Sequence, residues 1–310
     1  MREIFKKIIL LGISGVIVIL GIFFYFFQQF PEKRINFLIL GIAGENHEGK
    51  DLTDTIIFTS FNLKTGGVLF LSIPRDIWIP KWRAKLNSIY HYKGLGETKK
   101  TVGEILGQEV NYGIVIDFEV FKKTIDVLGG ITVEVERSFD DFKYPIPGKE
   151  NDLCGGDPEY KCRYEHLHFE AGKQEMDGET ALKFVRSRNA TGEEGTDFAR
   201  AARQQKIILA IKNKILSPRF FLSPGKPLQL FKLISLNIQT DISKENYWEL
   251  AKIALRFRSK NLKMEVLNNN YLITPQTSKE KYDNQWVLVP KSGDWLEIQE
   301  YVKKFLISND

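Results

Sequence analysis

Residues 8–27 run for twenty positions without a charged side chain. A segment of that length and character can satisfy its backbone in lipid only as one helix crossing the bilayer. Arg2, Lys6 and Lys7 precede it, and basic flanks are retained on the cytoplasmic side. Residues 1–7 are therefore expected in the cytoplasm, residues 8–30 as a single-pass anchor in the cell membrane, and everything beyond outside the cell. Phe23, Phe24, Tyr25, Phe26 and Phe27 stand where a secretory signal would carry small residues for cleavage, so the anchor reads as uncleaved. Only residues 31–34 separate it from the strand-like INFLILGI. The folded body thus begins beside the headgroups, a position suited to a substrate carried on lipid.

The whole chain of 310 residues is 43% apolar and 27% charged, near globular averages, which excludes a disordered tether. Strand-like runs at 35–42, 55–61, 67–73, 114–117 and 130–135 are interspersed with helical patterns at 98–107 and 117–128. The second helix has Asp117 as its N-cap and Gly129 just past its end. This mixture predicts an α/β domain built on a central sheet. Residues 138–176, rich in Gly, Pro, Asp and charge, read as a long surface excursion. Within it Cys154 and Cys162, in an oxidising exterior, would close a disulfide loop worth about 2 to 3 kcal/mol. A zinc site shared with His166 and His168, or two free thiols, are the alternatives. After the linker-like SPRFFLSPGKP come further helices, a strand near QWVLVP and a closing helix.

Two clusters carry chemistry. VRSRNATGEEGTDFARAARQQ sets four arginines around a Gly-containing loop and the start of a helix, predicted from an Asp197 N-cap to about Leu216. Its apolar stripe is Ile207, Ile208, Ile211 and Ile215, and one turn back the same face carries Gln204, Arg203 and Arg200. Arg186 and Arg188 share a face if that stretch is extended. Guanidinium groups beside a helix N-terminus suit phosphate; a solvated basic face paired with Glu193, Glu194 and Asp197 is the other reading. The second cluster comes from TIIFTSF and GVLFLSI, joined by NLKTGG as an antiparallel hairpin. That pairing sets Asp54, before the first strand, beside Arg75 and Asp76, after the second. It also leads the loop bearing Glu45, His47 and Asp51 to the same rim. Alone this is equally an ordinary ion pair at a hairpin mouth. Together the clusters suggest arginines holding phosphoryl oxygens while a carboxylate holds a metal ion bridging them.

In this order behind an N-terminal anchor, LTDT, SIPRD, KLNSIY, VRSR and TDFARAARQQ resemble the LytR-CpsA-Psr family across about residues 35–216. The resemblance implies a central mixed β-sheet flanked by helices, an α/β/α sandwich over residues 35–216, with residues 217–310 as a C-terminal extension packed on it. It further implies an apolar tunnel for a polyprenyl chain. The implied reaction is magnesium- or manganese-assisted transfer of a phosphoglycopolymer, teichoic acid or capsule, from a polyprenyl-pyrophosphate carrier to a sugar hydroxyl of peptidoglycan. Carried over by position, Asp54 would be the metal-linked acid. Arg75, Lys85, Arg186, Arg188, Arg200, Arg203 and Gln204 would hold the pyrophosphate, with Asp76 beside Arg75 and with Asn87 and Tyr90 supporting. The chain departs from the family pattern at Ala43, where relatives carry a second acid, and at Leu52, where they carry Arg. Glu45, His47 or Asp51 is expected to replace the missing ligand. Hydrolysis by a polyprenyl-pyrophosphate phosphatase, and non-catalytic binding of anionic glycopolymer or lipid, are the rival functions. No nucleic-acid partner is expected, because the arginines lack interleaved aromatics.

Overall fold

A computed structural model describes residues 34–307 apart from 46, 48, 248, 249 and 251–261. The expected anchor over residues 8–30 lies outside the described residues, and none of the described helices is long and apolar enough to cross a membrane.

The core is a six-stranded mixed sheet. β1 (Arg34–Ile42) and β2 (Thr53–Asn62) pair antiparallel, and β2 pairs with β3 (Val68–Ser72) through the predicted hairpin, Phe61 opposite Val68. β4 (Tyr112–Asp117) runs parallel to β1 on its other side. These strands read as nearly continuous apolar runs because both faces of the sheet are covered. Leu38, Leu40, Ile56, Phe58, Leu69 and Leu71 point to one face, where they meet Ile89, Val102 and Ile105 of helix α1 (Leu86–Leu106). Ile35, Ile57, Phe61, Val68 and Phe70 point to the other.

Helix α1 begins well before the predicted 98–107. It continues across Gly94, whose backbone leaves the helical region at φ +75° and ψ −179°. The two glycines of YKGLGE hide the helix in the sequence, while the Thr98 hydroxyl donates to the Gly94 carbonyl at 2.8 Å and restarts it. Helix α2 (Phe118–Leu128) follows its sequence signals closely. The Asp117 carboxylate accepts from the Val120 N–H at 2.7 Å, and Gly129 closes the helix at φ +77°.

Residues 138–176 meet expectation only in part: residues 146–163 form an exposed loop, but the flanking segments are paired strands. After β5 (Ile131–Val135), strands β6 (Phe139–Pro145) and β7 (Tyr164–Phe169) pair antiparallel, and β8 (Gly172–Met176) pairs with β5. FDDFKYP and YEHLHF bury few side chains, Phe139, Asp141 and Tyr144 on one strand, whose register shifts between Asp141 and Tyr144, and Leu167 and Phe169 on the other. Few apolar residues thus mark them. Cys154 and Cys162 form a disulfide between them, with Cα atoms 5.5 Å apart.

On the outer side of this ribbon Asp140 accepts from His166 at 2.7 Å and His168 at 2.9 Å, and the second nitrogen of His168 lies 2.9 Å from Glu170. The Glu170 and Asp140 carboxylates raise His168 above its ordinary 6.5, while His168 holds both of them low. A raised histidine contributes stability below 6.5 that is lost as pH rises through its folded value; the depressed carboxylates contribute above their ordinary values. His168→Gln is therefore expected to lower the melting temperature more at about pH 5.5 than at about pH 8.5. Equal shifts at both pH values, by thermal denaturation, would contradict the pairing.

Helix α3 (Gly178–Arg186) and helix α4 (Asp197–Ile215) pack against β5 and the ribbon. Thr196, one residue before the predicted Asp197, is the N-cap of α4, its hydroxyl accepting from the Ala199 N–H at 3.1 Å. Ile207 is buried, while Ile208, Ile211 and Ile215 are partly buried against two different clusters. Beyond α5 (Lys226–Asn237), β9 (Gln239–Thr240) joins the sheet beside β4, and β10 (Leu262–Val266) runs parallel to β3. Helix α6 (Leu296–Ile307) packs Ile298, Val302 and Leu306 into the α1 face. The short pairing at Val289–Pro290, with Leu272–Ile273, stands within QWVLVP.

Candidate functional site

The site lies where β2 begins and β3 ends. Thr53 is fully buried and its hydroxyl donates to the Asn87 carbonyl at 3.1 Å, while the Asn87 N–H donates to the Arg75 carbonyl at 3.0 Å. The start of β2, the turn after β3 and the first turn of α1 are thus tied to one another. On this frame Arg75 donates to the Asp54 carboxylate. The Arg75 Nε lies 3.4 Å from Asp76, and Lys85 donates to the other Asp76 oxygen at 2.7 Å. Arg188 Nη2 comes within 3.5 Å of the same Asp54 oxygen. Gln204 of α4 donates to the Thr55 hydroxyl at 3.0 Å, drawing the helix N-terminus and Arg200 over the same rim.

Two open lobes meet here. The first, about 260 Å³, is lined by the aromatic and apolar Phe118, Tyr144, Pro145, Tyr164 and Val185 together with Asp54, Arg186, Arg188, Arg200 and Gln204. The second, about 280 Å³, is bounded by Arg75, Asp76, Lys85, Thr196 and Trp286. Arg188 and Arg200 line both. Among the described residues lining the two lobes, Arg75, Arg186, Arg188, Arg200, Lys85 and Lys143 face two carboxylates, Asp54 and Asp76. Such an excess of cations suits an anionic group.

Arg186 ends helix α3 instead of sharing an extended face with Arg188. Its guanidinium lies 4.4 Å from the centre of the Phe118 ring and donates to the Tyr144 hydroxyl at 3.2 Å. Burial pushes the Tyr144 hydroxyl up to about 12. It stays protonated at neutral pH and offers a neutral donor inside the cationic cradle.

Arg203 is placed elsewhere. Only 2% exposed, it gives its donors to the carbonyls of Phe184 at 3.0 Å, Ser187 at 2.7 Å and Glu194 at 2.9 Å, and to the Glu194 carboxylate at 2.8 Å. The helical spacing that grouped it with Arg200 is real, but the side chain turns into the protein and pins the segment bearing Arg186 and Arg188. Asp141 does the same from the ribbon. Fully buried, it accepts from the Ser187 hydroxyl at 2.7 Å and from the N–H groups of Arg188 and Asn189, each at 3.2 Å.

The three candidates for a replacement metal ligand are engaged apart from Asp54. Glu45 pairs with Lys50 at 3.0 Å, Asp51 lies 3.5 Å from His91, and His47 packs edge-on against Phe118. Burial, helped by Arg186, lowers the His47 imidazole. Tyr144, Asp141, Phe118 and Trp286 were not singled out in the sequence. The first two lie in the stretch 138–176 read as surface excursion, whose sequence carries no signal for them.

A family model described as the LytR_cpsA_psr family matches residues 26–304. Among curated proteins, the chain is 28% identical over 233 residues to the Polyisoprenyl-teichoic acid--peptidoglycan teichoic acid transferase TagU of Bacillus licheniformis, covering 74% of this chain and 67% of that protein. It is 29% identical over 223 residues to the TagU of Bacillus subtilis, covering 70% and 64%. The aligned part thus spans about two thirds of those relatives. Among solved structures, protein gbs0355 from Streptococcus agalactiae superposes with a TM-score of 0.64 at 26% identity, covering 89% of this chain and 88% of that one. TagV of B. subtilis shares the fold, with a TM-score of 0.62 at 23% identity over 90% and 99% of the two chains.

Proposed function

The chain belongs to the LytR_cpsA_psr family, and from that premise we propose that it is a membrane-anchored, extracytoplasmic phosphotransferase. In this reading it moves a phosphoglycopolymer from a polyprenyl-pyrophosphate carrier to a sugar hydroxyl of peptidoglycan. The observation that carries it is the convergence of Asp54, Arg75, Arg188 and Arg200, from three distant stretches of chain, on one rim beside an aromatic-walled lobe. The names of the TagU relatives support the substrate class.

The pyrophosphate lies between Arg75, Lys85, Arg188 and Arg200, with the Tyr144 hydroxyl and Arg186 against its lipid side. The acceptor oxygen attacks the sugar-linked phosphorus. A phosphodiester to the acceptor forms, the bond to the bridging oxygen breaks, and polyprenyl phosphate leaves with its new charge spread over cations already in place. The hydroxyl proton passes to Asp54, Asp76 or solvent.

A magnesium or manganese ion fits this rim through Asp54, since such ions are held by one or two carboxylates plus substrate phosphates and water. When bound, such an ion would supply positive charge against the phosphoryl group held at this rim. Arg75 and Arg188 beside Asp54 disfavour a lone cation, so the ion is expected to arrive with its pyrophosphate. Asp54→Asn is accordingly expected to raise the manganese concentration for half-occupancy in the presence of donor lipid by about tenfold or more. Electron paramagnetic resonance of bound manganese reads this directly. Glu45→Ala, His47→Ala and Asp51→Ala should each leave it unchanged.

The function itself is tested with the full-length chain in detergent, given a polyprenyl-pyrophosphate-linked glycan with and without peptidoglycan oligomers. Glycan joined to the oligomer, with polyprenyl phosphate released, supports transfer. Release into water at the same rate without the oligomer indicates a phosphatase, and binding without turnover indicates a passive clamp.

A further inference from the structure

The second lobe has a feature that phosphate binding does not require. Trp286 stands 52% exposed at its wall, among Asp76, Lys85, Arg188, Thr196 and Arg200. A large indole left half in water beside charged groups is an unusual use of apolar surface, and one that favours a ligand with both an apolar face and polar edges.

The chain is anchored on both sides of Trp286. The Leu288 N–H donates to the Asp76 carbonyl at 3.0 Å, and the Trp78 N–H donates to the Leu288 carbonyl at 2.9 Å. Val287 is buried at 1% exposure, so Trp286, its neighbour in extended chain, faces outward. Upstream, the guanidinium of Arg83 donates to the Glu280 carbonyl at 3.1 Å and to Asp283 at 2.5 Å. Asp283 and Asn284, both at positive φ, turn the chain back toward the site. The segment carrying the indole is thus bonded to the same turn that carries Arg75 and Asp76, and the Lys85 ammonium lies 5.8 Å from the ring centre.

In-line displacement at phosphorus brings the attacking and leaving groups from opposite sides. Arg188 and Arg200 form the wall between the lobes. With the lipid-linked oxygen on the aromatic-walled side, the acceptor approaches through the lobe of Trp286. We propose that Trp286 is the platform on which an N-acetylhexosamine ring of the acceptor glycan stacks, its C–H face on the indole and its hydroxyls and amide toward Asp76, Lys85 and Thr196. This assigns an acceptor subsite to the C-terminal third of the chain, and it rests on the transferase reading above.

The test uses the full-length chain in detergent and chitotetraose, a soluble β-1,4-linked N-acetylglucosamine oligomer, as the binding probe. Trp286→Ala is expected to weaken chitotetraose binding, by calorimetry, about fivefold to tenfold. It should raise KM for peptidoglycan oligomers by the same factor, while affinity for the lipid donor stays within about twofold. Trp286→Tyr, which keeps an aromatic face, should restore most of both. Unchanged chitotetraose affinity in folded Trp286→Ala, or donor and acceptor affinities falling together, overturns the subsite. Loss of chitotetraose binding in an enzyme that transfers nothing would uphold the subsite and defeat the transferase reading. Transfer with unaltered acceptor KM in Trp286→Ala would do the reverse.

Discussion

Arg188→Ala is expected to reduce glycopolymer transfer about 10²- to 10³-fold, the range seen when one preorganised donor to a developing anion is removed. Its melting temperature should stay within a few degrees of the parent. Arg188 lines both lobes and lies 3.5 Å from Asp54, so in the proposed reaction it meets the phosphoryl group beside Arg75. The segment that carries Arg188 is fixed by other groups, the Arg188 backbone N–H by the Asp141 carboxylate at 3.2 Å and the preceding Ser187 carbonyl by Arg203. Lysine should recover only part of the rate, since an ammonium cannot present two parallel donors to phosphoryl oxygens. Steady-state rates set beside thermal denaturation separate the two effects. Activity in Arg188→Ala within about threefold of the parent would remove it from the site.

The site was legible in the sequence to the extent that local rules bring residues together. A tight hairpin dictates that the residue before one strand neighbours those after the next, and Asp54, Arg75 and Asp76 meet for that reason. Helical periodicity placed Arg200 and Gln204 on the sheet-facing side of α4. The same periodicity misjudged Arg203, because spacing fixes the direction of a Cβ but not the path of a long side chain beyond it. Glu194 and three carbonyls stand within its reach, and they win the guanidinium.

What stayed hidden depends on pairing between distant segments. Tyr144 and Asp141 enter the site because FDDFKYP pairs with YEHLHF some twenty residues on, and neither strand is apolar enough to announce itself. Trp286 reaches it through hydrogen bonds made by Leu288 and Asp283 to the segment of Asp76, Trp78 and Arg83, about two hundred residues away. For the metal, the loop of Glu45, His47 and Asp51 was close in sequence to Asp54. Each side chain nevertheless found a nearer partner, Lys50, Phe118 or His91.

Arg203→Ala is expected to cost about 3 to 5 kcal/mol of stability, the range for removing one member of a buried ion pair. The guanidinium is 2% exposed and lies 4.9 Å from the centre of the buried Phe139 ring, so its loss opens a void beside that ring as well as breaking four hydrogen bonds. Three carbonyls and the Glu194 carboxylate would lose their donors, and burial makes such orphans expensive. Lysine offers no rescue, because one ammonium cannot reach carbonyls on Phe184, Ser187 and Glu194 from a single point. Turnover should fall too, through the loosened Ser187–Arg188 segment. Conditions that restore folding should therefore return part of the activity, which they cannot do for Arg188→Ala. Urea denaturation gives the decisive number. A loss below about 1 kcal/mol, as for an exposed pair, would falsify the buried role and return Arg203 to the phosphate-binding set.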